Sequence, residues 1–380
     1  MMQKKIDERL LSQILILSGE KRVFCFVFGR NFERTKNFLK RKKIHIENEY
    51  LFINSLLCKA SQREIFELSN SVCVDSIFSV ATATSLMYVS KKILKTDKLN
   101  LYGEGVNIAF IDTGISNHCD FVLGKNRINI FKDFVNGKSL AYDDNGHGTF
   151  VAGACCGSGA MSKFRFSGVA PKSEIVALKA LNDKGEASAT KILDAMEWLF
   201  DNHKKENIKV ACMSFGSEPL GNNDPIMLGA EALWNDGVTV VTAAGNSGPE
   251  FQTIKSPGVS SKVITVGGVD DNRYDEFSFD KKFFEIADFS SRGPAFRKAK
   301  PDVVAPSVDI ISCGNKSFYT SLSGTSVATP MVAGLVCLIL EKHPDATPNQ
   351  IKNYLLSCGK PLGFEKNLEG FGLPDISKLN

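Results

Sequence analysis

The 380-residue chain has little of what marks a nucleic-acid or membrane protein. Its 46 basic residues barely outnumber its 42 acidic ones, leaving a net charge of +4. The basic residues do not gather with aromatics, which excludes the cationic stripe that grips nucleic acid. No segment reaches the roughly 18 apolar residues that a membrane span needs. The ten cysteines include no Cys-x-x-Cys pair, which removes the commonest zinc and redox frameworks. Most sit in apolar runs, as free core thiols do. The adjacent Cys155 and Cys156 read as small residues lining a packed helix. Repeats and low-complexity tracts are missing too. At the N-terminus, Lys4 and Lys5 are followed at once by Asp7, Glu8 and Arg9. The apolar stretch 10–17 is short and interrupted by Ser12 and Gln13. A secretory signal would need a cleaner apolar stretch and a small-residue cleavage site, so none is expected here. It reads as a short amphipathic helix, and the expected location is cytoplasmic.

What is present is an ordinary globular composition, 43% hydrophobic and 23% charged. The length suits one large domain plus a small one. In residues 1–78, β-branched and aromatic runs predict strands at 22–28, 44–46, 51–53 and 72–77. Helices are predicted from Asn31 to about 41, and from the capping box Ser61-Gln62-Arg63-Glu64 to about 69. The order β-α-β-β-α-β is the ferredoxin-like split βαβ unit. Residues 79–98 lack periodicity and read as a linker. From 99 to 380 the pattern changes. Short apolar runs at 106–111, 175–180, 209–213, 238–243 and 263–266 alternate with helical stretches such as 187–203 and 226–235. Such alternation predicts an α/β domain, a parallel sheet with helices on both faces. Active sites of these sheets form outside the carboxyl ends of the strands.

Four segments stand where that rule wants them. Phe110-Ile111-Asp112-Thr113-Gly114 ends a strand in a carboxylate. Asn145-Gly146-His147-Gly148-Thr149 sets a histidine at a helix start. Ser323-Gly324-Thr325-Ser326-Val327-Ala328-Thr329-Pro330 sets a serine before an apolar helix. An alcohol is a weak nucleophile until a base takes its proton, so Ser326 needs an imidazole. The imidazole needs a buried carboxylate on its other nitrogen to hold the right tautomer. Thr242-Ala243-Ala244-Gly245-Asn246-Ser247-Gly248 adds an amide able to donate to an oxyanion, with the Ser326 N–H as second donor. The other histidines, His45, His118, His203 and His343, fall in polar loops or helix ends and are expected to be solvated.

In the order Asp, His, Asn, Ser, these segments resemble the subtilisin-like serine protease family. Ser167-Gly168-Val169-Ala170-Pro171, Phe289-Ser290-Ser291-Arg292-Gly293-Pro294, Lys300-Pro301-Asp302-Val303-Val304-Ala305-Pro306 and Gly370-Phe371-Gly372-Leu373 match as well. The likeness covers nearly everything from about residue 100 onward. It implies a serine endopeptidase with catalytic Asp112, His147 and Ser326 and an oxyanion donor in Asn246. It also implies peptide or protein substrates and a subtilisin-like fold. The N-terminal unit is similar to the family's propeptide, an intramolecular chaperone and inhibitor removed by self-cleavage. By carry-over, Ser214-Phe215-Gly216 and Gly185-Glu186-Ala187 are the two edges between which a substrate adds as a strand.

Two positions depart from the family pattern. Lys255, within Thr253-Ile254-Lys255-Ser256-Pro257-Gly258, stands where the pocket for the residue before the cut usually has a small residue. An ammonium there favours a substrate carboxylate. Asp120 matches a family calcium ligand, but the loop 157–167 that would complete the site offers Lys163 and Arg165 and no Asp, Glu or Asn. Calcium needs six or more oxygens, so no cofactor or metal is expected. A catalytically silent binding or regulatory protein is the alternative. A dedicated leader-processing protease and a housekeeping one share this sequence pattern.

Overall fold

The computed structural model describes residues 5–7, 10–11, 14, 21–79, 93–96, 99–272 and 284–379. The chain divides into two compact units, residues 1–84 and 85–380. The helix expected at 10–17 and the linker expected at 79–98 fall largely outside the described residues.

In the first unit, strand β1 (Arg22–Phe28) leads to helix α1 (Phe32–Arg41), then β2 (His45–Tyr50) and β3 (Ser55–Ser61). Helix α2 (Gln62–Ser69) and β4 (Ser76–Ser79) follow. Asn31 caps α1 by accepting the Arg34 N–H at 2.9 Å. Ser61 and Glu64 form the capping box that opens α2. The four strands make an antiparallel sheet in the order β2-β3-β1-β4. Cys25, Val27, Leu39, Cys58, Ile65 and Leu68 form part of its buried core. Two predicted strands need correction. Residues 51–53 form an exposed 3-10 turn, ended by left-handed Asn54, and the strand is 55–61. The last strand begins at Ser76, not at 72. Apolar Leu51, Phe52 and Ile53 imitate a strand in sequence but have no face to pack on.

In the second unit, β5 (Asn107–Asp112), β6 (Ile128–Asp133), β7 (Glu174–Lys179), β8 (Ile208–Met213) and β9 (Thr239–Ala243) lie in one sheet. It also holds β10 (Ile264–Asp270), β11 (Glu285–Ile286) and β12 (Val303–Pro306), which pairs with β10. The order is β11-β10-β9-β8-β5-β7-β6. All pairings are parallel except β10 with β11. The central strands are buried nearly throughout, which is why they read as unbroken apolar runs.

Helices α3 (Cys119–Val122), α4 (His147–Cys156), α5 (Ala189–Asn202), α6 (Pro225–Asn235), α7 (Thr325–Lys342) and α8 (Pro348–Ser357) accompany the sheet. Helices α4 and α7 pack together, and so do α5 and α6. Helix α7 has the length and apolarity to cross a membrane, contrary to the expectation that no segment does, but 83% of it is buried in the unit. It packs on β8, β9, β10 and β12, and the core demands its composition. The central strands β5, β8 and β9 end at Asp112, Met213 and Ala243 on one edge of this parallel sheet.

Candidate active site

Asp112 is the last residue of β5 and is 1% exposed. Its Oδ1 accepts the Thr113 N–H at 2.7 Å and lies 2.8 Å from His147 Nδ1. His147 opens α4, and the loop before it is held by a residue that the motifs did not single out. Buried Asp143 accepts from Thr113 Oγ1 (2.9 Å), Asn145 N (3.1 Å) and Gly146 N (2.8 Å) at Oδ1. Its Oδ2 accepts from Thr149 N (2.9 Å) and Thr149 Oγ1 (2.7 Å). Thr113 in turn accepts the Gly148 N–H at 2.8 Å. This network fixes the start of α4 against the end of β5. Gly148 is required there, because a Cβ would stand 2.1 Å from the Gly114 carbonyl and 3.1 Å from Asp112 Cβ. Lys179, fully buried at the end of β7, donates to the carbonyls of Thr113 (2.6 Å) and Leu181 (2.9 Å) and to Asp144 Oδ1 (2.6 Å).

Burial alone would lower the His147 pKa. The charge of Asp112, its hydrogen bond and the charge of Asp143 outweigh that, and the imidazole is raised above its ordinary value. His147 thus holds a proton more readily than a free imidazole, as a general base should.

Ser326 is the second residue of α7, in the first helical turn where N–H groups lack helical partners. Asn246 follows β9, and its Oδ1 accepts from Thr325 N (2.9 Å) and Thr325 Oγ1 (2.8 Å). Thr325 Oγ1 also accepts the Gly245 N–H at 3.2 Å. With Oδ1 engaged, Nδ2 is the end of the amide left to face the serine. A Cβ on Gly324 would lie 3.2 Å from Asn246 Nδ2 and 3.2 Å from Ser326 Oγ. A side chain at 324 would therefore fill the space between nucleophile and amide donor. With φ at 153°, Gly324 also adopts a backbone that other residues rarely do. Ser326 and His147 make no hydrogen bond with each other among the described residues. Such bonds commonly tighten only in the substrate complex.

Ser214, at the end of β8, is buried, Phe215 is half-buried and Gly216 is exposed. Gly185, Glu186 and Ala187, expected as the opposite rim, are exposed. Asn182 Oδ1 ties that rim by accepting the N–H groups of Lys184 (2.9 Å) and Glu186 (3.0 Å). Asn145, two residues before His147, donates to the Asp183 carbonyl at 3.0 Å and links rim to site. Lys255 is not the open cation that the sequence suggests. Its ammonium is ion-paired to Glu218 of the segment following β8.

Asp120 is saturated by the protein's own donors. Gly159 N (2.9 Å), Met161 N (3.2 Å), Tyr319 Oη (2.9 and 3.0 Å) and Cys313 Sγ (3.6 Å) all point at its carboxylate. With its carboxylate taken by these donors, and backbone N–H groups and a thiol beside it in place of further carboxylate or carbonyl oxygens, Asp120 does not fit that ion. The cluster of His118, Asp120 and Cys313 is likewise occupied by internal bonds. His118 is fully buried, not solvated as its polar sequence neighbourhood suggests. Its Nδ1 accepts the Asp120 N–H at 3.0 Å, capping α3, and its Nε2 lies 3.2 Å from the Phe318 carbonyl. Burial lowers its pKa, against the opposing pull of Asp120 and that carbonyl. His203 is buried too, 2.8 Å from Asp236. All ten cysteines are free. Burial, with hydrogen bonds to Cys156 and Cys337, pushes the Cys155 thiol well up and leaves it inert.

The sequence profile of the Subtilase family matches residues 103–373. Serine protease AprX of Bacillus subtilis (strain 168) is 39% identical over 80% of this chain and 71% of its own length. Subtilisin DY of Bacillus licheniformis is 36% identical over 71% of this chain and 90% of its own length. A thermostable alkaline protease of Halalkalibacterium halodurans is 28% identical, with 98% of both chains covered. Among solved structures, Sphericase superposes with a TM-score of 0.66 at 29% identity, covering 78% of this chain and all of its own. The chain belongs to the Subtilase family and is a subtilisin-like serine peptidase acting on peptides or proteins.

Proposed function

We propose that the protein cleaves internal peptide bonds through Ser326, His147 and Asp112, and that it is made as a precursor that processes itself. The supporting observations are the Asp112–His147 bond of 2.8 Å and, separately, a serine and an amide that flank one small space after β9, a neighbour of β8 in the same sheet. Ser326 Oγ attacks the scissile carbonyl while His147 Nε2 takes its proton. Asp112 holds the proton on Nδ1 and balances the imidazolium. Asn246 Nδ2 and the Ser326 N–H receive the oxyanion. His147 then protonates the leaving amine, and water releases the acyl group by the same route in reverse.

The split βαβ unit serves as chaperone and inhibitor of the catalytic unit. A parallel sheet makes mainly non-local contacts and folds slowly, so a template has a physical use. Action inside the cell, on leader-bearing or other peptide precursors, is the accompanying reading, supported by ten unpaired thiols. The test is labelling of Ser326 by a fluorophosphonate, with mass spectrometry of the purified chain. Labelling abolished by Ser326→Ala, and a processed mass in wild type but not in that variant, are the expected results. A wild-type serine that stays unlabelled even after residues 1–78 have been removed would instead favour a catalytically silent binding protein.

A further inference from the structure

The Lys255–Glu218 pair stands beside the proposed site without a part in its chemistry. Strands β8 and β9 are neighbours in the sheet. The segments leaving them, 214–216 and 244–246, flank the Lys255 side chain. A Cβ on Gly216 would meet Lys255 Cβ at 2.6 Å, and one on Gly245 would meet Lys255 Cγ at 2.4 Å. Gly245 directly precedes Asn246, so the lysine stem lies against the segment that carries the amide facing Ser326. The backbone beneath is fixed by paired Ser217–Ser256 bonds of 3.0 and 2.9 Å. The two partners differ in setting. The Lys255 side chain is 17% exposed, whereas that of Glu218 is 79% exposed. The cation is built in, and its carboxylate partner is held by little else.

We infer that Glu218 is a displaceable internal occupant of the Lys255 cation, and that a substrate with a carboxylate on the residue before the cut binds by replacing it. The inference rests on the proposed reaction at Ser326. An incoming anion exchanges one lysine–carboxylate pair for another, while Glu218 swings into water at little cost because it is already exposed. The exchange is nearly balanced. Glu218 therefore sets how strongly acidic substrates are preferred and leaves a neutral charge balance in the cleft for uncharged ones.

The experiment measures kcat/KM for peptides that differ only in Glu or Gln before the scissile bond. Wild type should favour Glu a few-fold at most. Glu218→Gln and Glu218→Ala should each raise the Glu/Gln ratio by about 10-fold, the scale of one charge-assisted hydrogen bond. Lys255→Gln should remove that rise in the double variant. An unchanged ratio in both Glu218 variants, or a rise that persists without Lys255, overturns the inference while leaving the peptidase itself standing. A wild-type enzyme that neither labels nor cuts overturns the proposed function, and the inference with it.

Discussion

Replacing Asn246 by Ala separates transition-state stabilisation from simple binding. In the free enzyme the amide is held through Oδ1 alone, by Thr325 N and Thr325 Oγ1. Its Nδ2 faces the space beside Ser326 Oγ, where negative charge develops. The donation is therefore made in the transition state and not to the resting substrate. Turnover should fall by about 10^2- to 10^3-fold, the range seen when such a donor is removed from a related oxyanion hole. KM should stay put. Folding should suffer less. Two donors of Thr325 lose their acceptor, but Asn246 is exposed and its removal admits water. The loss should stay below about 3 kcal/mol, within a typical stability of roughly 5–15 kcal/mol. Asn246→Asp is the informative companion, since it keeps the acceptor for Thr325 and loses the donor. Its activity should fall at least as far as that of the alanine variant, with a melting temperature nearer wild type. Steady-state kinetics and thermal denaturation on both variants provide the check. Normal turnover with a raised KM in Asn246→Ala, or wild-type turnover in Asn246→Asp, would refute the reasoning.

Three other outcomes follow from the same geometry. Because Asp112 and Asp143 raise the His147 pKa against burial, the acid limb of kcat/KM should lie above the ordinary imidazole value, and Asp112→Asn should move it to lower pH. The stability held in this raised pKa is fully present at pH below the unfolded value and fades as pH rises through the folded one, opposite in direction to activity. A pH–rate profile that is the same in both proteins would remove Asp112 from that role. Asp143→Asn puts an amide NH2 where an oxygen accepts either three or two donors, so it should cost about 2–4 kcal/mol, or roughly 3–7 °C in Tm for a unit of this size by calorimetry. With Asp120 satisfied by protein donors, excess EDTA should shift Tm by less than about 1 °C, and a larger fall would show a calcium site that those bonds do not reveal.

The sequence by itself determined the chemistry and the class of fold. Asp112, His147, Asn246 and Ser326 lie in short segments whose local rules are strong: a buried strand ending in a carboxylate, glycine at helix starts, an apolar helix after the nucleophile. Buried parallel strands announce themselves as apolar runs, and β5, β8 and β9 sit within a residue or so of their predicted places. Tertiary structure decided what long-range pairing controls. Asp143 and Thr325 stand inside or beside the quoted motifs, but their roles depend on partners from other segments. An Asx cap three residues before Gly146 was a usable signal for Asp143. His118 looks polar in sequence but is buried: the rings of Phe121 and Tyr319 pack against it and the carbonyl of Phe318, 200 residues away, meets its Nε2. The 51–53 run has strand-like residues but no face to bury. Lys255 shows the limit most clearly: the carboxylate that neutralises it comes from Glu218, 37 residues earlier, and a pairing between a half-buried lysine and an exposed glutamate leaves no pattern in sequence.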